Sequence, residues 1–112
     1  MESFKVNFLQ GALDDLDEIV LYMASYSKEA AIKWHDKLIK VSSRLEEFLF
    51  MGVSVPDNKL ASLEFRMIPV NSYIIFYRVY TAMGEVTVLR VLDARRDYPR
   101  FFKKYMEKDK NS

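Results

Sequence analysis

The sequence predicts an α+β domain of order β-α-α-β-β-β, an antiparallel sheet packed on a helical hairpin. Three observations point to this class. The apolar period changes from two to about 3.6 near Gly11. Two amphipathic stretches then follow each other across Ser25-Tyr26-Ser27. Past a loop rich in turn residues, three alternating apolar runs are joined by short links.

Each element has a local cause. From Ser3 to Leu9, Phe4, Val6 and Phe8 alternate with Lys5 and Asn7, which reads as a short strand with one buried face. From Ala12, the residues Leu13, Leu16, Ile19, Val20 and Met23 form one helical stripe. Asp14 and Asp15 are placed in its first turn, where carboxylates favour the helix dipole. Ser27 is the expected N-cap of a second helix, whose seam is Trp34, Leu38, Val41, Leu45 and Phe48. Glu29–Lys33 and Asp36–Lys40 are i,i+4 pairs worth about 0.2–0.5 kcal/mol each. Residues 51–63 carry Gly52, Pro56, Asp57 and Asn58 and read as a loop. It is expected to move more than its neighbours. Strands are expected at Glu64–Val70, Tyr73–Tyr80 and Glu85–Leu92, with hairpin links at Asn71-Ser72 and Thr81–Gly84. Residues 97–112 are a tail. Its stretch from Asp97 to Lys108 is a candidate short C-terminal helix with Pro99 in the first turn.

Those turn lengths set a register. Val70 should oppose Tyr73, Ile68 oppose Ile75, and Arg66 oppose Tyr77. In the next pair Tyr80 should oppose Glu85, Tyr77 oppose Val88, and Ile75 oppose Arg90. Arg66, Tyr77 and Arg90 then share one sheet face with Ile68, Val70, Tyr73, Ile75, Val88 and Leu92. The other face carries Phe65, Met67, Ile74, Phe76, Leu89 and Val91, and is expected to meet the helix pair. The first face, with its arginines and tyrosine hydroxyls, is expected to be a partly open groove with arginines on the rim.

The chain has 112 residues, which suits a single domain spanning residues 1–112. Half of it is hydrophobic, enough to bury a core and exclude global disorder. Without cysteine there is no disulfide and no thiolate zinc site, and one histidine builds no His-rich metal site. Calcium or magnesium on carboxylates stays open, but there is no EF-hand-like loop; no metal and no cofactor is expected. No apolar run reaches membrane-span length and the N-terminus lacks a secretory pattern, so no membrane role and a cytoplasmic location are expected. Charge is uneven: residues 1–56 hold 6 Lys/Arg against 9 Asp/Glu, and residues 57–112 hold 11 against 7. The basic half favours an acidic partner or a phosphate backbone, though the field is modest for a general nucleic-acid binder.

Three motifs, in this order, resemble the RelE/ParE superfamily of bacterial type II toxins across about residues 4–98. The first is A-x-x-D-L-x-x-I-x-x-Y, here Ala12, Asp15, Leu16, Ile19 and Tyr22. The second is R-x-I-P-V-x-x-Y-x-I-F-Y-R-V, here Arg66 to Val79. The third is V-x-V-L-R-V-L-x-x-R-R-D, here Val86 to Asp97. The resemblance implies a growth-inhibiting toxin of the kind tied to plasmid stabilisation, held in a hetero-oligomer by a cognate antitoxin. ParE-like members inhibit DNA gyrase, and RelE-like members cut messenger RNA on the ribosome. The run IPVNSYIIFYRV and the RRD ending are nearer the ParE-like branch. The alternatives are a ribosome-dependent mRNA endonuclease and a member that only binds its antitoxin. Many relatives have histidine or another non-acidic residue where Asp93 stands, and here no histidine follows His35.

RNA cleavage by a 2′-hydroxyl needs a proton acceptor, a charge clamp on phosphorus and a proton donor. Arg66, Arg90, Arg95 and Arg96 are the candidate clamp, and Tyr98 is a candidate donor or stacking ring. The same arginines could instead contact an acidic partner or solvate a strand end. Glu46 and Glu47 read as a solvated helix face, and His35 as a solvent-facing bystander. Ile75, Tyr77, Phe101 and Phe102 are candidate contacts for the antitoxin. Phe101, Phe102 and Tyr105 could equally pack the tail onto the sheet.

Overall fold

A computed structural model of the chain describes residues 4–105. Its elements run β1 (Lys5–Phe8), α1 (Gln10–Ala24), α2 (Lys28–Arg44), β2 (Val53–Ser54), α3 (Asn58–Ser62), β3 (Phe65–Val70), β4 (Tyr73–Tyr80) and β5 (Glu85–Asp93). Short 3-10 segments occupy Thr81–Met83 and Tyr98–Phe102. The five strands order as β1-β5-β4-β3-β2. β1 lies parallel to β5 and the other pairs are antiparallel. The sheet is therefore mixed rather than wholly antiparallel. The helix pair carries the chain back across the sheet, so β5 arrives beside β1 in the same direction.

α2 starts where the sequence expects it. Ser27 accepts a hydrogen bond from the Ala30 N–H at 3.1 Å, and Glu29 pairs with Lys33 at 3.3 Å. Trp34, Leu38 and Leu45 of its seam are buried, but the helix stops at Arg44 and Phe48 stands exposed. α1 begins two residues before Ala12, after an extended Leu9. Asp14 and Asp15 thus lie beyond the first turn, and no acidic residue serves the helix N-terminus.

The β3–β4 register agrees with expectation: Val70 faces Tyr73, Ile68 faces Ile75 and Arg66 faces Tyr77. Asn71 takes the left-handed conformation that the two-residue turn needs, with φ 58°. In β4–β5 the register holds only as far as Tyr77↔Val88, where a bulge intervenes. Phe76 then faces Arg90 and Ile75 faces Val91, so the expected Ile75–Arg90 pair does not form.

Both sheet faces are covered, giving three layers. The helix pair packs on Ile68, Val70, Ile75, Tyr77, Val79, Val86, Val88 and Val91. Apart from Val91 and Leu92, which the β5 bulge exchanges between the two sides, that is the face expected to be an open groove, so the expectation is overturned. Arg66, Tyr77 and Arg90 do not prevent burial because each finds a hydrogen-bond partner inside the fold. The opposite face holds Phe65, Phe76, Leu89 and Leu92 beneath Val55, Leu60 and Phe102. Residues 51–63, expected as an irregular loop, supply β2, α3 and two of these buried side chains. The tail supplies the rest of the cover. Phe102 sits edge-on to Phe65 at 5.3 Å, and Tyr105 does the same at 5.2 Å. The remainder of the expected C-terminal helix, from Met106 on, lies outside the described residues.

Candidate functional site

Arg90, Arg95 and Arg96 meet at one cleft of about 1000 Å³. Its walls are one side of α1 (Asp15, Glu18, Tyr22), the β3–β4 turn with Tyr73, the end of β5, and Phe101 of the tail. Arg66 is absent from this group. It lies two strands away on β3, where its guanidinium donates to the carbonyls of Gly52 (2.6 Å) and Phe50 (3.3 Å) and covers the Phe50 ring. Arg66 therefore holds a loop and does not join a charge clamp.

At the floor of the cleft Arg90 forms a two-toothed ion pair with Asp15, at 2.7 and 2.8 Å. The Val91 N–H donates to the same carboxylate at 2.9 Å. β1 ends opposite Val88, so beyond that point the edge of β5 needs another acceptor. Asp15, 7% exposed, supplies it. The hydrogen bonds to Asp15 raise the Arg90 pKa above its ordinary value. Gly11 allows the approach: a Cβ there would lie 3.2 Å from Cδ of Arg90.

Arg95 is at the rim, its side chain 90% exposed. It forks onto Asp93 at 3.1 and 3.0 Å, and its own N–H donates to the same carboxylate at 2.9 Å. Those bonds hold the Asp93 carboxyl down at about 2 and push the Arg95 pKa up. Arg96 lies 5.7 Å from the Phe101 ring centre, and Arg90 lies 5.1 Å from it. One aromatic ring of the tail thus contacts two cations of the cleft. Tyr98 is outside the cleft, half-buried against Phe76 at 5.1 Å.

The expectation of partner contact at Ile75, Tyr77 and Phe102 does not fit this arrangement. Each is at most 1% exposed, the first two beneath the helices and the third on the opposite face. Phe101 remains half-buried at the cleft. His35 is solvent-exposed, 3.8 Å from Asp36, and Glu46 and Glu47 are exposed, as expected.

The cleft continues into an apolar pocket of about 440 Å³ that the sequence did not reveal. Tyr22, Tyr26 and Trp34 line it, with Lys33, Lys37 and Asn71 around them. Lys37 donates to the Asn71 side chain at 3.1 Å, and the Tyr22 and Tyr26 rings meet edge to face at 5.3 Å. Hydrogen bonding with Tyr26 raises the Tyr22 pKa. Lysines on α2 and arginines after β5 thus border one aromatic surface. They come from distant parts of the chain, and no local pattern links them.

Residues 6–98 match the family model described as the ParE toxin of type II toxin–antitoxin systems, parDE. No curated protein matches the chain significantly. Among solved structures the chain is similar to one titled as a chromosomal ParDE toxin–antitoxin system from P. aeruginosa. That match has a TM-score of 0.66 and 19% identity, covering 83% of this chain and 98% of that one. A toxin–antitoxin complex RelBE2 from Mycobacterium tuberculosis matches with a TM-score of 0.58 and 19% identity, covering 81% and 98%. The isolated E. coli RelE toxin matches with a TM-score of 0.54 and 17% identity, covering 92% and 99%. At these identities the structures speak for the fold. The family model spans most of the chain, and on that ground this protein belongs to the ParE toxin family of type II toxin–antitoxin systems.

Proposed function

We propose that the protein arrests growth by binding a cellular target through the face bordered by Arg95, Arg96, Tyr22 and Tyr73. A cognate antitoxin would neutralise it in a hetero-oligomer. DNA gyrase is the target this reading favours, and the parDE family match supports that choice.

The observation that carries a binding mode is how the arginines are engaged. Arg66 holds loop carbonyls, Arg90 holds Asp15, and Arg95 holds Asp93. A charge clamp for phosphoryl transfer needs several cations aimed at one phosphorus, with an acid and a base beside it. Two of these arginines are already neutralised by carboxylates, and the third is elsewhere. The exposed Arg95–Asp93 pair is better suited to exchanging partners with a charged surface.

A second reading has its own observation. Tyr22, Tyr26 and Tyr73 beside Lys33, Lys37, Arg95 and Arg96 resemble a stacking platform with cations along it, which suits single-stranded RNA on the ribosome.

The purified full chain separates the two. Inhibition of gyrase supercoiling, lost in Arg95→Lys and Arg96→Ala variants that melt like the wild type, is the expected result. Unchanged supercoiling with codon-positioned cuts in translated mRNA would replace it with the second reading. Neither effect, with antitoxin binding intact, would leave a protein that only binds its antitoxin.

A further inference from the structure

Between the end of α2 and β2 the chain displays large apolar side chains at its surface. Phe48, Phe50, Met51 and Val53 are 53%, 56%, 39% and 56% exposed. They are not there through slackness of the loop. The buried Tyr77 hydroxyl donates to the Leu49 carbonyl at 2.9 Å and accepts from the Gly52 N–H at 3.0 Å. Arg66 grips the Gly52 carbonyl from the other side at 2.6 Å. Gly52 lies so close to β3 that a Cβ would stand 2.6 Å from the Met67 carbonyl oxygen. Three contacts from two strands thus set the path of residues 49–52 and turn the neighbouring apolar side chains outward. A loop held this way loses little conformational entropy when it docks.

The rim of the patch identifies its occupant. Arg44 lies 5.8 Å from the Phe48 ring centre and Arg66 lies 5.1 Å from that of Phe50. Neither arginine has a carboxylate partner among the described residues. Glu46 and Glu47 are exposed in the same turn, and Glu47 shares with Arg44, Phe48 and Phe50 a groove of about 490 Å³. Two positive and two negative side chains therefore surround an apolar centre. A strongly acidic partner would meet the glutamates and a strongly basic one the arginines. A two-fold axis satisfies both, because residue i of one copy then meets residue j of the other and the reverse.

We propose that the free protein self-associates through residues 44–53, a second copy of the chain packing Phe48, Phe50 and Met51 against their equivalents while Arg44 of each copy meets Glu47 of the other. The surface is distinct from the arginine cleft, so this pairing does not depend on which target the cleft binds. The dimer is weak and concentration-dependent, because four exposed side chains and a rim fall short of the roughly 1,200–2,000 Å² buried by stable complexes.

Sedimentation equilibrium of the purified full chain over a wide concentration range tests this. The expected result is a reversible monomer–dimer equilibrium. Phe50→Ser, at an exposed position and with an unchanged melting temperature, should weaken it by at least about tenfold. Arg44→Glu should weaken it as well, and adding Glu47→Arg to Arg44→Glu should restore it. A chain that stays monomeric throughout would overturn the proposal, as would a dimer that Phe50→Ser leaves unchanged. Protection of residues 48–53 from hydrogen exchange only when a neutralising antitoxin is added would assign the patch to that partner instead, and would equally overturn it.

Discussion

Asp15 joins α1 to β5 by three hydrogen bonds to one buried carboxylate. It sits on α1, accepts both arms of Arg90 and accepts the Val91 N–H at the open edge of β5. Asp15→Asn keeps an oxygen for Val91 but loses the charge that Arg90 pairs with. Because Arg90 is still 29% exposed, water softens the loss. Destabilisation of about 1–3 kcal/mol in urea unfolding is the expected outcome, and an unchanged midpoint would show the pair to be ornamental. Asp93 is governed by pH instead. Its carboxyl is depressed from 3.8 to about 2 by Arg95. A depressed carboxylate contributes fully above its ordinary pKa, and the contribution is lost as pH falls from 3.8 through about 2. The Asp93 carboxyl resonance should therefore titrate near 2, and Arg95→Ala should return it towards 3.8. Titration near 3.8 in the unaltered chain would mean that the fork is not populated in solution.

At the scale of elements, strong local signals were readable and weak ones were not. Ser27 capped α2, and β4 occupied its expected span from Tyr73 to Tyr80, because capping chemistry and alternation act within a few residues. α3 escaped notice because five residues are too few to show a helical period. The bulge in β5 was invisible for another reason. Both sheet faces are apolar, so shifting Val91 to the helix side and Leu92 to the other changes no polar pattern. The segment 51–63 read as an irregular loop from its turn residues, yet Val55 and Leu60 are at most 2% exposed and Asp57 caps α3 at 3.0 Å. Tyr77→Phe tests how far the loop before it depends on one hydroxyl. It strands the Gly52 N–H and the Leu49 carbonyl, for an expected loss of about 1–3 kcal/mol. Faster exchange of the Gly52 amide should accompany the loss. A fully stable variant with an unaltered amide would show that water replaces the hydroxyl.

For the molecule as a whole, the stretch from Tyr98 to Tyr105 is part of the core rather than an appendage. Phe102 is 1% exposed and meets both Phe65 and Phe76 at 5.3 Å. Phe102→Ala should cost about 3–5 kcal/mol, as burial is lost and a cavity opens against the sheet. Calorimetry checks this. A loss under about 1 kcal/mol would mean that the sheet face closes up without the tail. Phe101, by contrast, faces the cleft and touches two of its arginines, so the 3-10 segment places adjacent phenylalanines in different roles.

Taken alone, the sequence determined the order β1, α1, α2, β3, β4 and β5, the β3–β4 register, the capping of α2 and, through three spaced motifs, the family. Each of these is set by neighbours along the chain or by a pattern carried whole within it. Only the tertiary structure decided which sheet face meets the helices, that β1 runs parallel to β5, and what each arginine does. Arg66 and Arg90 looked alike as strand residues bordering a groove. One holds a loop and the other finds Asp15 75 residues away, because burial makes a guanidinium take whichever acceptors the packed elements bring to it.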